Sequence, residues 1–559
     1  MKLEGLGMDR TSAFLRMTAF WAVCVAFGTL AMAQETDAEA QAPVSARLVT
    51  EPAISGGQGD TANAELKEGP SPVAGNGLVE LQPLELGTCL RLALERNLDL
   101  QMVRLERREA DYDIAIARGA YDPSLSVSYK REHAESSGQN AGTAEGVLET
   151  ARTESDDDTI AAGLGGLVGP FGTSYELSAK DGSSSGTRAR TGFDTSSARV
   201  GVSVSQPLLK GFLMDDTRYQ IATARLLSQE SALALEEQIQ NLLANVEKAW
   251  YALLAARQAR NVQSEALALA EQLLADNRQK VKIGTMSALD EKQAESQAAS
   301  ARADLASANQ AVIKAENALK ALVWADLRSI WQTELPIAAE LPVPPDGTTA
   351  PDAGLAMEKA LAQRPDLRTA RLALERQELA VDLYHNQTLP ELDLVGGYGL
   401  AASDEDSRGD AWDTVSDADE PYWNVGVTLT IPLGNRQARN RHLKSLSAQE
   451  RQRLQVRKLE EGVLSELVDA AAAVESCLLK IAASRDAAEY ARDALTAEQR
   501  KLDQGKSTSF VVLQLQKDLT EARRAETAAL ADYHQALADF ALAEGSVLER
   551  HGFEFPDAE

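Results

Sequence analysis

Aromatic residues, cysteines and positive charges are all scarce in this chain. Aromatics make up 5% of its 559 residues, which weighs against a core of large rings and favours close packing of alanine-rich helices. Cys24 lies in an N-terminal apolar run, so only Cys89 and Cys477 remain in the body of the chain. Two cysteines on separate expected helices are no disulfide framework, and they read as buried free thiols. Lys and Arg number 56 against 84 Asp and Glu. That balance argues against nucleic acid or an anionic bilayer surface as partner, because phosphates need cationic contacts. Past the N-terminus no run reaches the roughly 18–20 apolar residues of a membrane-spanning helix, so no helical anchor is expected. The five histidines, His133, His385, His442, His534 and His551, are scattered, and none pairs with another one helical turn away. Cys-x-x-Cys, Gly-x-Ser-x-Gly and phosphate-cradling glycine loops are missing too. The chain reads as no enzyme, with no catalytic site, metal or cofactor.

What the chain does contain is a second copy of its own pattern. Ala93-Leu-Glu-Arg-Asn-Leu-Asp-Leu100 is echoed by Ala360-Leu-Ala-Gln-Arg-Pro-Asp-Leu367. At the same offset Leu105, Pro123, Leu125 and Val127 fall on Leu372, Pro390, Leu392 and Leu394. Val200-Gly-Val-Ser-Val-Ser-Gln-Pro-Leu208 is echoed by Val425-Gly-Val-Thr-Leu-Thr-Ile-Pro-Leu433, and Gly284 by Gly505. Solenoid units run about 20–50 residues, so a repeat this long is a duplicated half. Each half reads helix, strand, strand, long helix, glycine, helix.

The boundaries follow. Residues 1–33 carry the marks of a secretory signal peptide: Lys2, Arg10 and Arg16 precede an apolar run, and Ala31-Met-Ala33 is a cleavage pattern of small residues. Residues 34–83 are rich in Ala, Gly, Pro and Glu without periodicity and read as a disordered linker. The first repeat takes 84–330, a linker 331–353, the second repeat 354–550 and a tail 551–559.

Strands are expected at about 123–131 and 198–206, and again at 390–399 and 423–431. In each, apolar residues alternate with small polar ones: Leu125, Val127 and Tyr129 against serines, and Val425, Val427, Leu429 and Ile431 against Asn424, Gly426, Thr428 and Thr430. In an exported chain this period of two marks a transmembrane β-barrel, with lipid outside and water inside. Tyr121, Tyr129, Tyr398, Tyr422 and Trp423 stand at strand ends, where an interfacial girdle needs them. The loop 131–198 holds two more strand-like pieces, 159–167 and 174–180, joined by Gly169-Pro-Phe-Gly172. They are expected to form a hairpin standing above the wall, a place in the wall being the alternative. The loop 400–422 is strongly acidic and is expected to be solvated and external.

The helices are long. From about 212 to 281 there is neither proline nor glycine, and 437–502 has only Gly462; at 1.5 Å per residue each would span about 100 Å. Shorter stretches, 98–120 with 286–324 and 366–387 with 507–546, add up to similar lengths. Each half thus offers one full rod beside one rod stacked from two pieces. Leu305, Ala308, Val312, Ala315, Leu319 and Leu322 step by heptad spacing, as do Ala529, Tyr533, Ala536, Phe540, Ala543 and Val547, so the rods pair as coiled coils.

Taken together these segments resemble the TolC-like outer membrane efflux protein family over about 84–550. The resemblance rests on the paired motifs ending at Leu100 and Leu367, on Pro123 and Pro390 before strands, and on Pro207 and Pro432 after them. It rests also on Gly284-Thr-Met-Ser-Ala-Leu-Asp290 and Gly505-Lys-Ser-Thr-Ser-Phe510 at the hairpin tips. It implies a mostly α fold with a membrane β part. As a homotrimer, each chain would give four strands to a 12-stranded barrel continued by a periplasmic helical barrel. The implied location is the cell outer membrane, in its lipid, extending into the periplasm. The implied partners are a periplasmic adaptor protein and an inner-membrane transporter. The residues at the periplasmic entrance would be Gly284, Asp290, Glu291, Gly505 and Lys506.

The four prolines have a mechanical reading as well. Proline fixes φ and lacks a donor, so Pro123, Pro207, Pro390 and Pro432 suit the change between strand and helix. Gly284 and Gly505 suit helix ends that need positive φ. Some family members carry aspartates past the second tip glycine; here Val511 and Gln514 stand there, and only Asp290, followed by Glu291, offers an acidic ring. A ring would favour cations; a plain N-terminal helix acid is the alternative. Arg and Asp residues near the two tip glycines are expected to hold a closed state. The function expected is a passive exit duct for efflux or type I secretion. The rival is a structural or adhesive coiled-coil protein without a through-pore.

Overall fold

The computed structural model describes residues 84–139, 150–169, 171–188, 191–330, 333–345, 347–405, 407–418 and 420–553. The expected leader and the linker 34–83 lie outside the described residues, as does most of the tail. The first half runs α1 (Leu86–Arg96), α2 (Leu98–Arg118), a 3-10 turn (Gly119–Tyr121), β1 (Ser124–Gln139), β2 (Thr150–Val168), β3 (Thr173–Arg188), β4 (Thr191–Pro207), α3 (Asp216–Lys282) and α4 (Ala288–Val323). A short α5 (Leu327–Ile330) follows. The second half runs α6 (Ala353–Gln363), α7 (Pro365–Asn386), β5 (Glu391–Asp404), α8 (Arg408–Ser416), β6 (Pro421–Thr430), α9 (Arg436–Asp503), α10 (Ser509–Glu544) and α11 (Val547–His551). The mostly helical fold with one strand part, and its internal repeat, are as expected. Among the described residues no helix is long and apolar enough to cross a membrane.

The two full rods, α3 with 67 residues and α9 with 68, each reach about 100 Å. Helix α3 packs on α2 and on α4, α9 packs on α7 and on α10, and α7 and α10 also pack on α3. The order across the layer is therefore α2 with α4, then α3, then α7 with α10, then α9. The heptad positions fill the seams: Val312, Leu319, Ala529, Tyr533, Ala536, Phe540 and Val547 are buried.

The echoed motifs have a physical use at the joints of the stacked rods. Asn97 caps α2 by accepting from the Leu100 N–H at 3.0 Å, and its Nδ2 donates to the Leu322 carbonyl at 3.0 Å near the end of α4. At the matching place in the second half, Arg364 donates to Asp366 at 2.7 Å, to Glu466 at 2.8 Å and to the Ala543 carbonyl at 3.1 Å. Leu100 and Leu367 close both motifs with no exposed surface. Helices α1 and α6, which periodicity alone does not announce, lie beside these joints. Truncating a fully buried leucine leaves a cavity, so Leu100→Ala and Leu367→Ala should each cost about 2–5 kcal/mol of stability, checked by thermal denaturation. Cys89 and Cys477 are buried free thiols, and burial pushes the Cys89 thiol up to about 11.

The strands form one antiparallel sheet in the order β1-β2-β3-β4-β5-β6. This corrects the expectation of four strands and of a hairpin above the wall: β2 and β3 lie between β1 and β4. Their alternation is the reason. Ile160, Ala162 and Leu164 of β2 face Asp181, Ala179 and Leu177 of β3, and Ala162 faces Val127 of β1, so the inserted pair continues the same apolar face. That face is open: Val127, Trp423 and Val425 are each at least 70% exposed. The strands also run further than expected, β1 to Gln139 and β4 back to Thr191.

Two details of the sheet differ from the sequence reading. The acidic loop contains α8, whose Ala411 and Val415 are buried against Ala198 and Ala402. Trp412 Nε1 donates to Asp181 at 3.1 Å, and Arg408 donates to Ser183 Oγ at 2.6 Å. A few apolar residues at helical spacing thus dock a segment whose charge reads as solvated. Tyr422 does not join the outward aromatics. It faces Gly399, whereas Trp423 faces Tyr398, so Tyr422 lies on the small-residue face, with Arg199 stacked 5.3 Å from its ring centroid. Its room comes from glycine: a Cβ at Gly399 would fall 2.6 Å from the ring.

Candidate functional site: the helical tips and the strand junctions

Both hairpin tips close in the same way. Helix α3 ends with Gly284 at φ +79°, and α9 with Gly505 at φ +69°. The Thr285 N–H donates to Lys280 O at 2.9 Å and Gly284 N–H to Val281 O at 3.0 Å; Lys506 N–H donates to Lys501 O at 2.8 Å and Gly505 N–H to Leu502 O at 3.0 Å. These paired bonds satisfy the last carbonyls of each rod, and the left-handed residue favours glycine.

Beyond the first tip, Ser287 caps α4. Its Oγ accepts from the Leu289 N–H at 3.1 Å, and Asp290 Oδ2 accepts from the Ser287 N–H at 3.3 Å. Of the two readings of Asp290, the geometry uses it as the reciprocal acid of a capping box. Glu291 pairs with Arg278 Nε at 3.3 Å across the α3–α4 hairpin. Lys506 Nζ donates to Gln504 at 3.2 Å. Glu498 accepts from Ser507 Oγ at 2.6 Å and pairs with Lys501 at 2.8 Å; the Lys501 and Ser507 hydrogen bonds hold its carboxyl below the usual range. Val511 and Gln514 are exposed, and Ile283, Leu289 and Phe510 add exposed apolar surface at the tips.

Among the described residues no Arg–Asp pair joins the two hairpins at the tip, where Asn277, with no exposed surface, does so; farther up, Arg523 of α10 pairs with Glu265 of α3. Asn277 Nδ2 donates to Ser509 Oγ at the start of α10 at 2.7 Å, and to the Asp290 carbonyl at 3.4 Å. Its Oδ1 has no partner. Beside it Leu273, Leu495, Leu502, Val512, Leu513 and Leu519 form an apolar cluster between the hairpins. The signal in the sequence is an asparagine one turn after Leu273 and Leu274, a polar residue on a buried stripe.

The four prolines sit at strand ends, each in a connection to a helix: Pro123 before β1, Pro207 at the end of β4, Pro390 before β5 and Pro432 after β6. Side chains brace these junctions. Lys210 Nζ pairs with Glu391 at 3.2 Å, Asn386 Oδ1 accepts from the Gly211 N–H at 2.7 Å, and Asn435 Nδ2 donates to Thr388 O at 2.9 Å. Arg218 gathers the β4–α3 connection by donating to the carbonyls of Gly211, Phe212 and Leu213 and to Asp215.

The histidines have separate surroundings, except that the His385 and His442 rings meet edge to face at 5.3 Å. His133, Glu135 and Glu154 bring ligand atoms within 4.8 Å of one another on the exposed upper part of β1 and β2, where His133 Nδ1 is already 2.9 Å from Asp156. His534 stacks on Tyr251 at 4.2 Å, with Nε2 2.8 Å from the Pro342 carbonyl. Burial holds its imidazole below the ordinary range, so the folded state favours the neutral ring. The stabilisation is complete above the unfolded value of about 6.5 and is lost as pH falls toward the folded value. Melting temperatures of His534→Gln should therefore fall less than those of the parent between neutral and mildly acidic pH.

Long paired rods capped by glycine tips, and carried through proline junctions into a sheet with one apolar face, are the architecture of outer-membrane channel proteins. The chain belongs to the outer membrane efflux protein family, whose model matches residues 173–323 and 356–546. Solved structures share the fold. The Campylobacter jejuni CmeC outer membrane channel is 17% identical, with a TM-score of 0.60, over 85% of this chain and 87% of that one. The open-state MtrE outer membrane channel of Neisseria gonorrhoeae is 19% identical, with a TM-score of 0.58, over 83% and 89%. The outer membrane protein VceC of Vibrio cholerae is 16% identical, with a TM-score of 0.58, over 82% and 96%. A comparison with curated proteins finds no match.

Proposed function

We propose that three copies of this chain close side by side into a passive exit duct. The duct would carry cargo from a periplasmic adaptor and inner-membrane transporter through the outer membrane, in efflux or type I secretion. The observation that carries the reading is a pair of unpartnered apolar stripes on the two outermost rods. On α9, Leu443, Leu454, Val468, Leu479 and Tyr490 are exposed and spaced by whole helical turns, so they share one face. On α2, at the other edge, Leu98, Met102, Leu105, Tyr112 and Ile116 do the same. The inner rods α3 and α7 carry almost no such residues. Exposed apolar residues aligned along both edges of one layer suit a ring of copies that covers them. The strand edges β1 and β6 are open at the same two sides. The apolar side chains at the tips give an adaptor a surface to grip.

Opening would part the two hairpins at the Asn277–Ser509 link. The test is the mass of the detergent-solubilised particle, followed by its conductance in planar bilayers. A trimer that conducts supports the duct; a trimer that never conducts, even after the tip link is removed, supports the structural stalk instead.

A further inference from the structure

We infer that the hairpin β2–β3 is part of the channel wall, so that the trimer proposed above closes an eighteen-stranded barrel whose exit is as wide as its helical section. Four observations on this chain point the same way. First, β2 is hydrogen-bonded along its length to β1 on one side and to β3 on the other, and β3 to β4. Second, both faces continue through the insertion. Leu164 and Leu177 extend the apolar side, while Gly163 and Ser178 extend the small side.

Third, the turn of the hairpin is fixed at the helical end of the sheet. Phe171 stacks on Phe212 with centroids 5.4 Å apart, and Gln206 Nε2 donates to the Phe171 carbonyl at 3.0 Å. A hairpin standing clear of the wall on the far side would have no reason to dock on the β4–α3 connection.

Fourth, the stagger of the sheet is that of a closing barrel. The row of facing residues that starts at Ser124, the foot of β1, runs through Gly165, Glu176, Ser203 and Gly397 to Asn424. Asn424 stands about six residues above Thr430, the foot of β6. About six residues of stagger over the five spacings from β1 to β6 set a tilt of about 40°, within the usual range for barrels. At that tilt three such sheets, eighteen strands, close at a diameter of about 36 Å, whereas twelve strands close at about 24 Å. Twelve helical rods spaced 9–10 Å apart stand on a circle of about 35–39 Å. With the hairpin in the wall the two sections match, and the barrel is no neck.

The repeat supplies the register of the alternative. In the second half Leu394 faces Val427, and their counterparts are Val127 and Val202. A chain with its hairpin outside the wall would set Val127 against Val202. Here Val127 faces Ala162, and Val202 faces Leu177. Strands β1 and β4 are then three strand spacings apart, about 14 Å, beyond the roughly 7 Å limit for a disulfide.

In a background with Cys89 and Cys477 replaced by serine, membrane-inserted Val127→Cys/Ala162→Cys should crosslink on mild oxidation, and Val127→Cys/Val202→Cys should not. Mass spectrometry of the linked peptides reads the result. Where these substitutions impair insertion, Leu125→Cys/Leu164→Cys and Leu125→Cys/Val204→Cys give the same reading one rung lower. The reverse pattern overturns the inference whatever the copy number. The native mass of the same samples separates the two ideas. Three copies with the first pattern supports eighteen strands; another copy number with that pattern overturns the trimer and the count, a failure of the functional reading and not of the hairpin's place.

Discussion

Replacing Ser509 by alanine is expected to raise the open-to-closed ratio of the channel in planar bilayers roughly a hundredfold. Asn277 has no exposed surface, and its shortest bond goes to Ser509. Removing that acceptor leaves a buried amide poorly satisfied, at a cost of about 1–3 kcal/mol. The cost falls on the closed tip alone, since a parted tip gives the amide water. Taking about 1 kcal/mol in each of three tips, a concerted opening shifts by about 3 kcal/mol, which is roughly a hundredfold. Asn277→Leu should behave differently. It removes the donor and the unpartnered Oδ1 together and adds an apolar group beside Leu273 and Val512, so the tip should hold. Intact Ser509→Ala trimers that conduct like the parent would remove the link from any account of opening.

The second large effect is on assembly. Val468→Asp with Leu479→Asp should leave the protein folded and monomeric. Both side chains are exposed in the single chain, so the fold loses little. In the ring they would place two carboxylates in every seam, where burial costs several kcal/mol per charge unless a partner waits. Gln455→Asp lies off the stripe and should leave the trimer intact. Native mass with circular dichroism checks both; a trimeric double variant would show that the seam lies elsewhere.

Much of the fold was legible because its strongest signals are long. The rods announce themselves by tens of residues without proline or glycine, and α3 and α9 end within a few residues of where the sequence places them. The tip glycines and junction prolines are likewise punctuation that chain geometry requires. The failures share another cause. The hairpin's place depends on which strands its edges meet, a tertiary fact, although Ile160, Ala162 and Leu164 carry the alternation of a wall strand. Helix α8 was hidden because its docking face is three apolar residues among many acids. Tyr422 was assigned by residue type, and only its facing partner Gly399 reveals its side. At the tip, charged residues beside the two glycines are the legible candidates. The link proved to be a neutral asparagine, whose meaning depends on being buried, and burial between two hairpins is a tertiary fact.

The strands are unequal, and the inequality shapes the outer mouth. Strand β6 has 10 residues whereas β1 has 16 and β2 has 19. At the tilt set by the stagger, ten residues rise about 25 Å, the height of the apolar band of an outer-membrane barrel and no more, and sixteen rise about 40 Å. Around the ring of three copies proposed above, the strand wall would be a crown with three low places, each beside β6. Cargo leaving such a ring would have sideways exits at those places when a polysaccharide coat or a neighbouring cell presses on the top. A flat-rimmed pore would be stoppered by the same contact.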